Sequence, residues 1–406
     1  MTQQIIDTLD AIERKVSNSV GRLEQNQQEF AQRLVAIEQK NSRHVDTPAG
    51  PVSATSSGKS PKAWINAETG VQLKVYEPGE KMSRDVAHDP AGAELVREGF
   101  GIGHFARALA RGAKTDIEKK AMSISVATAG GHLVPTPLAA GFIDRARAAS
   151  TVVEAGASTI DLQSSSLKIA RVTSDPTLQW LAENAASTPS DPAFGSVTLT
   201  AKTLRALVVA SREVVDDAPN FPVLFSQMMD EAFAAEIDRV CLVGSGSGAE
   251  PLGLFGTAGI GTVSLGTNGA TIANYDSFVD AITTLQASNI PRPTAFIYAP
   301  RTNGQLGKLK ASDNQPLVAP RIVSEVPHLI TSAIPVNQTQ GTSTDCSAVL
   351  AGAWNNCIIG LRQQVVLEMF TQPNAANYQY TFLIHCRMDV QYARPSDFVR
   401  IVGLRA

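Results

Sequence analysis

Hydrophobic positions change their spacing along the chain, and each change predicts a different element. Ile5, Leu9, Ile12, Val16, Leu23, Phe30 and Ile37 follow one another in fours, threes and sevens. One heptad position is apolar throughout (Leu9, Val16, Leu23, Phe30, Ile37), while the other decays from Ile5 and Ile12 to Ser19, Asn26 and Arg33. The spacing predicts an amphipathic helix or weak coiled coil over 2–41, and its polar half-seam predicts reversible association. From Val45 to Lys62 the chain is rich in Pro, Gly, Ser and Thr without periodicity, which predicts a flexible linker.

Val71, Leu73 and Val75 then alternate as in a short strand. In Ile102–Arg111, Phe105 and Leu109 lie one turn apart with Arg107 and Arg111 on another face, which predicts one short helix. Glu118-Lys119-Lys120 reads as an exposed charged run, and nothing in 1–120 is expected to build a large core. The body is expected from Met122 on. Leu133-Val134-Pro135-Thr136-Pro137 is extended, because proline fixes its own φ and restricts its predecessor. A helix is predicted over 137–149, with proline near its first turn.

Residues 150–215 read as two long strands with a polar tip. Leu167 and Ile169 mark the outgoing strand, and Val197, Leu199 and Ala201 the return. Such a ribbon cannot bury both faces on itself and must lie on something else. The longest helix is predicted over 222–243. Phe225, Met229, Phe233, Ile237 and Val240 form its stripe, and Leu224, Met228 and Ala232 are expected to broaden it. Asp216, Asp217 and Asn220 supply start signals, and Gly244-Ser-Gly-Ser-Gly248 stops it. Beyond 274, helix (Phe278, Ile282, Leu285), strand (Ala295–Tyr298) and short helix (Pro300 through Leu306 and Leu309) alternate. Strands come next at Val349-Leu350, Cys357–Ile359, Val365–Leu367 and Tyr378–Ile384, with a strand pair around Arg394-Pro395. The fold class is α+β with mixed sheets.

The chain has 406 residues, a formal net charge of -3 and only 18% charged residues, below the roughly 25% usual in soluble domains. Low charge suits a protein that buries much surface against partners, and no global basic field marks a nucleic-acid reader. Cys241, Cys346, Cys357 and Cys386 form no C-x-x-C pair, and the adjacent His385 and Cys386 point to opposite faces of a strand. All four are expected as buried small hydrophobes. No apolar run of about 18 residues exists, so no membrane partner is expected, and the polar start Met1-Thr2-Gln3-Gln4 predicts no signal peptide and synthesis in a cytoplasm.

No catalytic, cofactor-binding or metal-ligating residue is expected. Gly244–Gly248 comes after a helix and lacks Gly-Lys-Ser/Thr, so it is not a phosphate loop. Its central residue is Gly246, flanked by Ser245 and Ser247, so it is not a nucleophile elbow. His44, His88, His104, His132, His328 and His385 are scattered. Asp216-Asp217 is assigned to a helix start, and Glu231, Glu236 and Asp238 to structural roles. Arg205, Arg212, Arg387 and Arg394, set in apolar strands or at their ends, are expected to pair with carboxylates within or between subunits.

The order of elements resembles the major capsid proteins of tailed phages, the Hong Kong 97-like fold. Gly130-Gly-His-Leu-Val-Pro135 is similar to that family's N-arm start, and Trp180-Leu-Ala-Glu-Asn184 to its extended loop. Ala210-Ser-Arg-Glu-Val-Val-Asp-Asp-Ala-Pro219 resembles the lead into its spine helix, and Gly244-Ser-Gly-Ser-Gly-Ala-Glu-Pro-Leu-Gly253 the turn after it. The resemblance covers about 122–402. It implies a scaffolding-like segment over 1–121 that is often removed by a maturation protease, with a cut near Lys119–Met122, then an N-arm over 122–150 and an extended loop over 151–210. It further implies a peripheral domain over 211–254 and 346–402 and an axial domain over 255–345. Implied partners are further copies as hexamers and pentamers, a portal, a protease, decoration proteins and double-stranded DNA bound without sequence specificity; the implied place is the virion, assembled in a bacterial cytoplasm. Some members lock their shells by a lysine–asparagine bond. Here Asn184 stands where the lysine would be, and the assisting glutamate falls near His385 or Cys386, so the resemblance implies no such bond. An encapsulin-like compartment, which shares the fold, and a hydrolase or nucleotide-dependent enzyme are the alternatives.

Overall fold

A computed structural model describes residues 64–67, 70, 72–83, 95, 98–125, 127–128, 131–172 and 194–405. The expected coiled coil over 2–41, the linker over 45–62, His44, His88, and the ribbon tip with Trp180–Asn184 lie outside them.

Helix Phe221–Val243 organises the larger core. Phe225, Met229, Phe233, Ile237 and Val240 are buried, as the stripe predicts. Phe225 meets Phe382 at 5.5 Å and Phe142 meets Phe233 at 5.0 Å, both edge to face. The stripe is narrower than expected. Leu224 and Met228 are exposed, as is Ala232, because the body covers only one side of the helix. Asn220 occupies the N-cap without a side-chain cap bond. Asp216 and Asp217 end a separate short helix, Arg212–Asp217, and do not open the long one. Helix Thr136–Ala149 packs on the long helix, with Pro137 in its first turn as expected.

Beneath these helices lies an eight-stranded mixed sheet. Its order is Val75–Tyr76, Ser158–Asp161, Cys357–Leu361, Gln379–Tyr392, Val366–Phe370, Gly131–Leu133 and Ala127–Thr128, with Lys202–Ser211 also pairing along Gln379–Tyr392. Strand Gln379–Tyr392 runs well past the expected 378–384. One face, with Phe382, Ile384, Cys386 and Met388, enters the core. A six-stranded sheet holds the second core. It joins Gly261–Ser264, Phe398–Leu404, Ser343–Gly352, Ala295–Tyr298 and His328–Ile330, with Gln338–Gln340 on Ser343–Gly352. Helix Asp276–Ala287 covers it through Phe278, Ile282 and Leu285. The strands expected on either side of Arg394-Pro395 exist, but they belong to these two different sheets.

The front segment contributes more to the core than its composition suggests. Tyr76, Met82, Leu95, Phe100, Ile102 and Phe105 are buried in the larger core. The predicted helix forms as Ile102–Arg111 and packs on the start of the long helix. There a Cβ on Gly103 would stand 1.9 Å from the Pro222 carbonyl, so only glycine permits the approach. Glu118 is not in an exposed run. It is 2% exposed, accepts from the Lys114 and Thr115 amides at 2.8 and 3.0 Å, and faces Arg107 and Arg111, each at 3.9 Å. The expected strand at Val71–Val75 is two strands, Gln72–Leu73 and Val75–Tyr76, belonging to different sheets.

The ribbon pairs Ser166–Val172 with Phe194–Thr200, Ile169 opposite Val197 and Leu167 opposite Leu199. At its root it is covered by its own chain: Trp64 packs with Ile169, Leu199, Ile160 and Ile358. The ribbon thus lies on something other than itself, as expected, and at the root that cover comes from the same chain. The covering residues were missed because two-residue strands with polar flanks leave no periodic signal.

Candidate functional site

Among the described residues, the groups that could suggest chemistry do not converge. Ser245 donates to the Glu250 carboxylate, and Arg239 joins Glu236 and Glu250 at 2.7 and 2.6 Å, so Gly244–Gly248 closes a charged turn. Gly246 and Gly248 take φ of 68° and 61°, and a Cβ on Gly253 would lie 2.2 Å from the Gly244 amide. These glycines are needed for the chain reversal. Lys202 Nζ reaches the Glu250 carbonyl at 2.6 Å and ties the returning ribbon to that turn.

Asp238 is buried and accepts from Ser150 Oγ at 2.6 Å and from the Thr151 and Val152 amides at 2.9 and 3.0 Å. It caps the short helix Thr151–Glu154 across space. Asp230 takes Arg145 at 2.6 Å, and burial raises its pKa against that arginine. Glu236 and Asp238 thus have separate partners, Arg239 for the one and the start of Thr151–Glu154 for the other. His328 packs between Phe278 and Phe296, its Nδ1 3.2 Å from the Tyr298 hydroxyl and its Nε2 3.2 Å from the Val323 carbonyl. His104 Nδ1 accepts from the Gly101 amide at 3.2 Å. His132 sits on strand Gly131–Leu133. Among the described residues no group of three or more His, Cys, Asp or Glu could hold a metal, and no helix is long and apolar enough to cross a membrane. All four cysteines are free and buried, as expected.

Surface is what the geometry offers instead. Strand Lys202–Ser211 turns Thr203, Arg205, Leu207 and Val209 outward, with Leu207 64% and Val209 45% exposed. Across the ladder they meet Arg387, His385, Leu383 and Thr381. Glu368, opposite Leu383 on the next strand, opposes the fall in the His385 pKa, which burial drives and Arg387 and Arg205 reinforce. Val223, Leu224 and Met228 make a second apolar exposure on the long helix. Single exposed apolar residues need no explanation, but grouped ones mark interaction surfaces. The arginines divide. Arg394 lies near Asp397, as a carboxylate partner requires, whereas Arg212 stacks over Tyr378 and Tyr380 at 5.0 and 4.8 Å. A planar, weakly hydrated guanidinium suits an aromatic face as well as a carboxylate.

Residues 130–403 match the model of the phage capsid family. The chain belongs to the phage capsid family. The major capsid protein of Klebsiella oxytoca phage phiKO2 is 25% identical over 324 residues, covering 77% of this chain and 71% of that protein. Among solved structures, the capsid of a native GTA particle aligns with a TM-score of 0.51 at 20% identity, over 63% of this chain and 91% of its own. The capsid of an empty GTA particle gives 0.51 at 21%, over 64% and 90%, and Microbacterium phage Oxtober96 gives 0.50 at 14%, over 63% and 91%. The fold of this capsid protein is therefore Hong Kong 97-like, and the matches favour a phage or gene transfer agent capsid over an encapsulin-like compartment. The family is a structural one.

Proposed function

We propose that the chain is the major capsid subunit that closes, as hexamers and pentamers of itself, into an icosahedral head around double-stranded DNA. The family match over 130–403 carries this reading. Two features of the molecule support it. The ribbon Ser166–Val172 and Phe194–Thr200 pairs as a two-stranded sheet of its own, and strand Lys202–Ser211, which follows it, keeps Leu207 and Val209 exposed. Each lap of apolar surface contributes roughly 25 cal/mol per Å², so many weak contacts close a shell.

In this reading, residues 1–121 template assembly and are then removed by a protease, 122–150 form the N-arm and 151–210 the extended loop. Residues 211–254 and 346–402 form the peripheral domain, and 255–345 the axial domain around the symmetry axes. A cut near Lys119–Met122 falls inside helix Asp116–Ile124, where Ala121 is buried, so that helix opens before the bond is cut. Portal and decoration proteins complete the particle, which assembles in the host cytoplasm, and no cofactor takes part. Shell closure rests on non-covalent contacts, since Asn184 stands where a cross-linking lysine would be. Purified particles treated with nuclease test the content. Protected double-stranded DNA is expected, and a packaged enzyme without DNA would overturn the reading in favour of a compartment.

A further inference from the structure

The ribbon leaves the large sheet at a fork. Strand Lys202–Ser211 lies along Gln379–Tyr392 only as far as Met388, because the chain before Lys202 belongs to the ribbon. Among the described residues, 389–392 therefore have no ladder partner on that side, and ribbon strand Phe194–Thr200 has none besides Ser166–Val172. The two open edges part at Asp389. Its carboxylate accepts from the Thr200 amide at 2.6 Å and from the Val390 amide at 2.9 Å, one from each edge.

Past that staple a cleft of about 290 Å³ opens, and Arg171, Thr198, Leu252, Gln391, Tyr392 and Pro395 are among the residues that line it. Ladder alternation sets which backbone groups face it. The Ala201 amide bonds the Ser165 carbonyl, so the ribbon exchanges hydrogen bonds at its odd-numbered positions. Ser196 and Thr198 then turn their N–H and C=O groups away from Ser166–Val172. The Arg362 amide bonds the Arg387 carbonyl, and by the same rule Tyr392 turns its groups away from Cys357–Leu361, toward the cleft. Arg171 crosses the far end, its Nη1 3.2 Å from the Ala393 carbonyl. Its Nε is buried without a partner, and among the described residues no carboxylate pairs with it. Phe194–Thr200 carries no proline, lysine or register shift, the devices that usually block an open edge.

We propose that this cleft is a peptide-binding edge: an extended acidic segment of a partner protein adds as a strand beside Phe194–Thr200 and sets a carboxylate on Arg171. A bare anion would meet the amides and the guanidinium, but it would also face the carbonyls of Ser196 and Thr198. An extended peptide brings a donor and an acceptor at each step and satisfies both. The unpaired guanidinium selects a carboxylate on that peptide, since charge-assisted hydrogen bonds are the stronger ones. Leu252 and Pro395 give apolar walls to its neighbouring side chains. The inference does not rest on how copies of the chain join.

The full chain is titrated with two blocked, fluorescent peptides, acetyl-Val-Thr-Glu-Val-Thr-amide and its glutamine counterpart, and binding is read by anisotropy. The acidic peptide is expected to bind at millimolar concentration and more tightly than the neutral one. Arg171→Leu is expected to weaken the acidic peptide by roughly 10-fold or more, the effect of one charged hydrogen bond, and to erase the preference. Thr198→Pro removes one edge-facing amide where an edge strand tolerates proline, and it is expected to weaken both peptides alike. Hydrogen exchange on the unmodified chain reads the same edge without any substitution: the acidic peptide is expected to slow the Ser196 and Thr198 amides. No binding, or binding that leaves those amides unprotected, overturns the proposal. So does displacement of the peptide by an equal concentration of inorganic phosphate, which would leave an anion site without a strand. Protection that appears without peptide as the chain is concentrated would give the cleft to a second copy and overturn it too.

Discussion

At the scale of single residues, buried polar groups anchor the fold, and two are sharp enough to test. Asp238 satisfies three donors at the start of Thr151–Glu154 from the far side of the core. Asp238→Ala leaves those donors buried and unmatched, and a loss of about 1–3 kcal/mol in urea unfolding is expected. His328 gives a pH signature. Burial holds its pKa below the ordinary value of 6.5, and it is kept neutral with Nε2 donating to Val323 and Nδ1 accepting from Tyr298. The unfolded chain therefore takes up this proton at a higher pH than the folded one. Its contribution to stability is full above the unfolded pKa and shrinks as pH falls below about 6.5, down to the folded pKa. His328→Phe is expected to flatten that part of the stability–pH curve, measured as the midpoint of thermal unfolding between pH 7 and 5. An unchanged slope would mean that the histidine is not held neutral. Neither role was legible in the sequence. Asp238 stood among Glu231 and Glu236 as one of several helix acids, and His328 as one of six scattered histidines. The donors and rings that define them arrive from 30 to 90 positions away.

At the scale of elements, periodicity served well where one side of a segment faces a core. Helices 102–111, 222–243 and 276–287 and strand 295–298 are legible from their apolar spacing, because each buries one stripe or one short run. It failed where burial is shared among distant short pieces, as at Trp64 and Leu73, and where an apolar stripe meets no partner, as at Leu224 and Met228. That second failure yields a contrast. Ile237→Ala in the buried stripe is expected to cost about 2–5 kcal/mol. Leu224→Ala on the same helix should stay within about 0.5 kcal/mol in the unassembled chain. Paired denaturation curves check both, and equal losses would show that the outward stripe is packed in the free subunit. Glycine turns were legible as helix stops, but not the contact of Gly103 with Pro222, since nothing local distinguishes a glycine that ends a helix from one that lets two helices touch.

At the scale of the whole molecule, element order carried the identification where single motifs could not. A ribbon, a long helix ended by glycines, a lobe and a returning sheet occur in the expected succession, and the family match spans them. What order could not show is that the described part of the front segment, from Trp64 on, is woven into the body. Short strands and helices of that segment reach the ribbon root, the large sheet and the start of the long helix, contacts that only a folded chain reveals. Among the described residues, apolar outward faces at Leu207, Val209, Leu224 and Met228 stand beside a ribbon braced at its root, surfaces suited to joining further copies. Electron microscopy of the purified full-length protein tests that most directly. Closed shells, or rings of five and six subunits, are the expected result. A monodisperse monomer that persists at high concentration, with its ribbon resistant to protease, would contradict it.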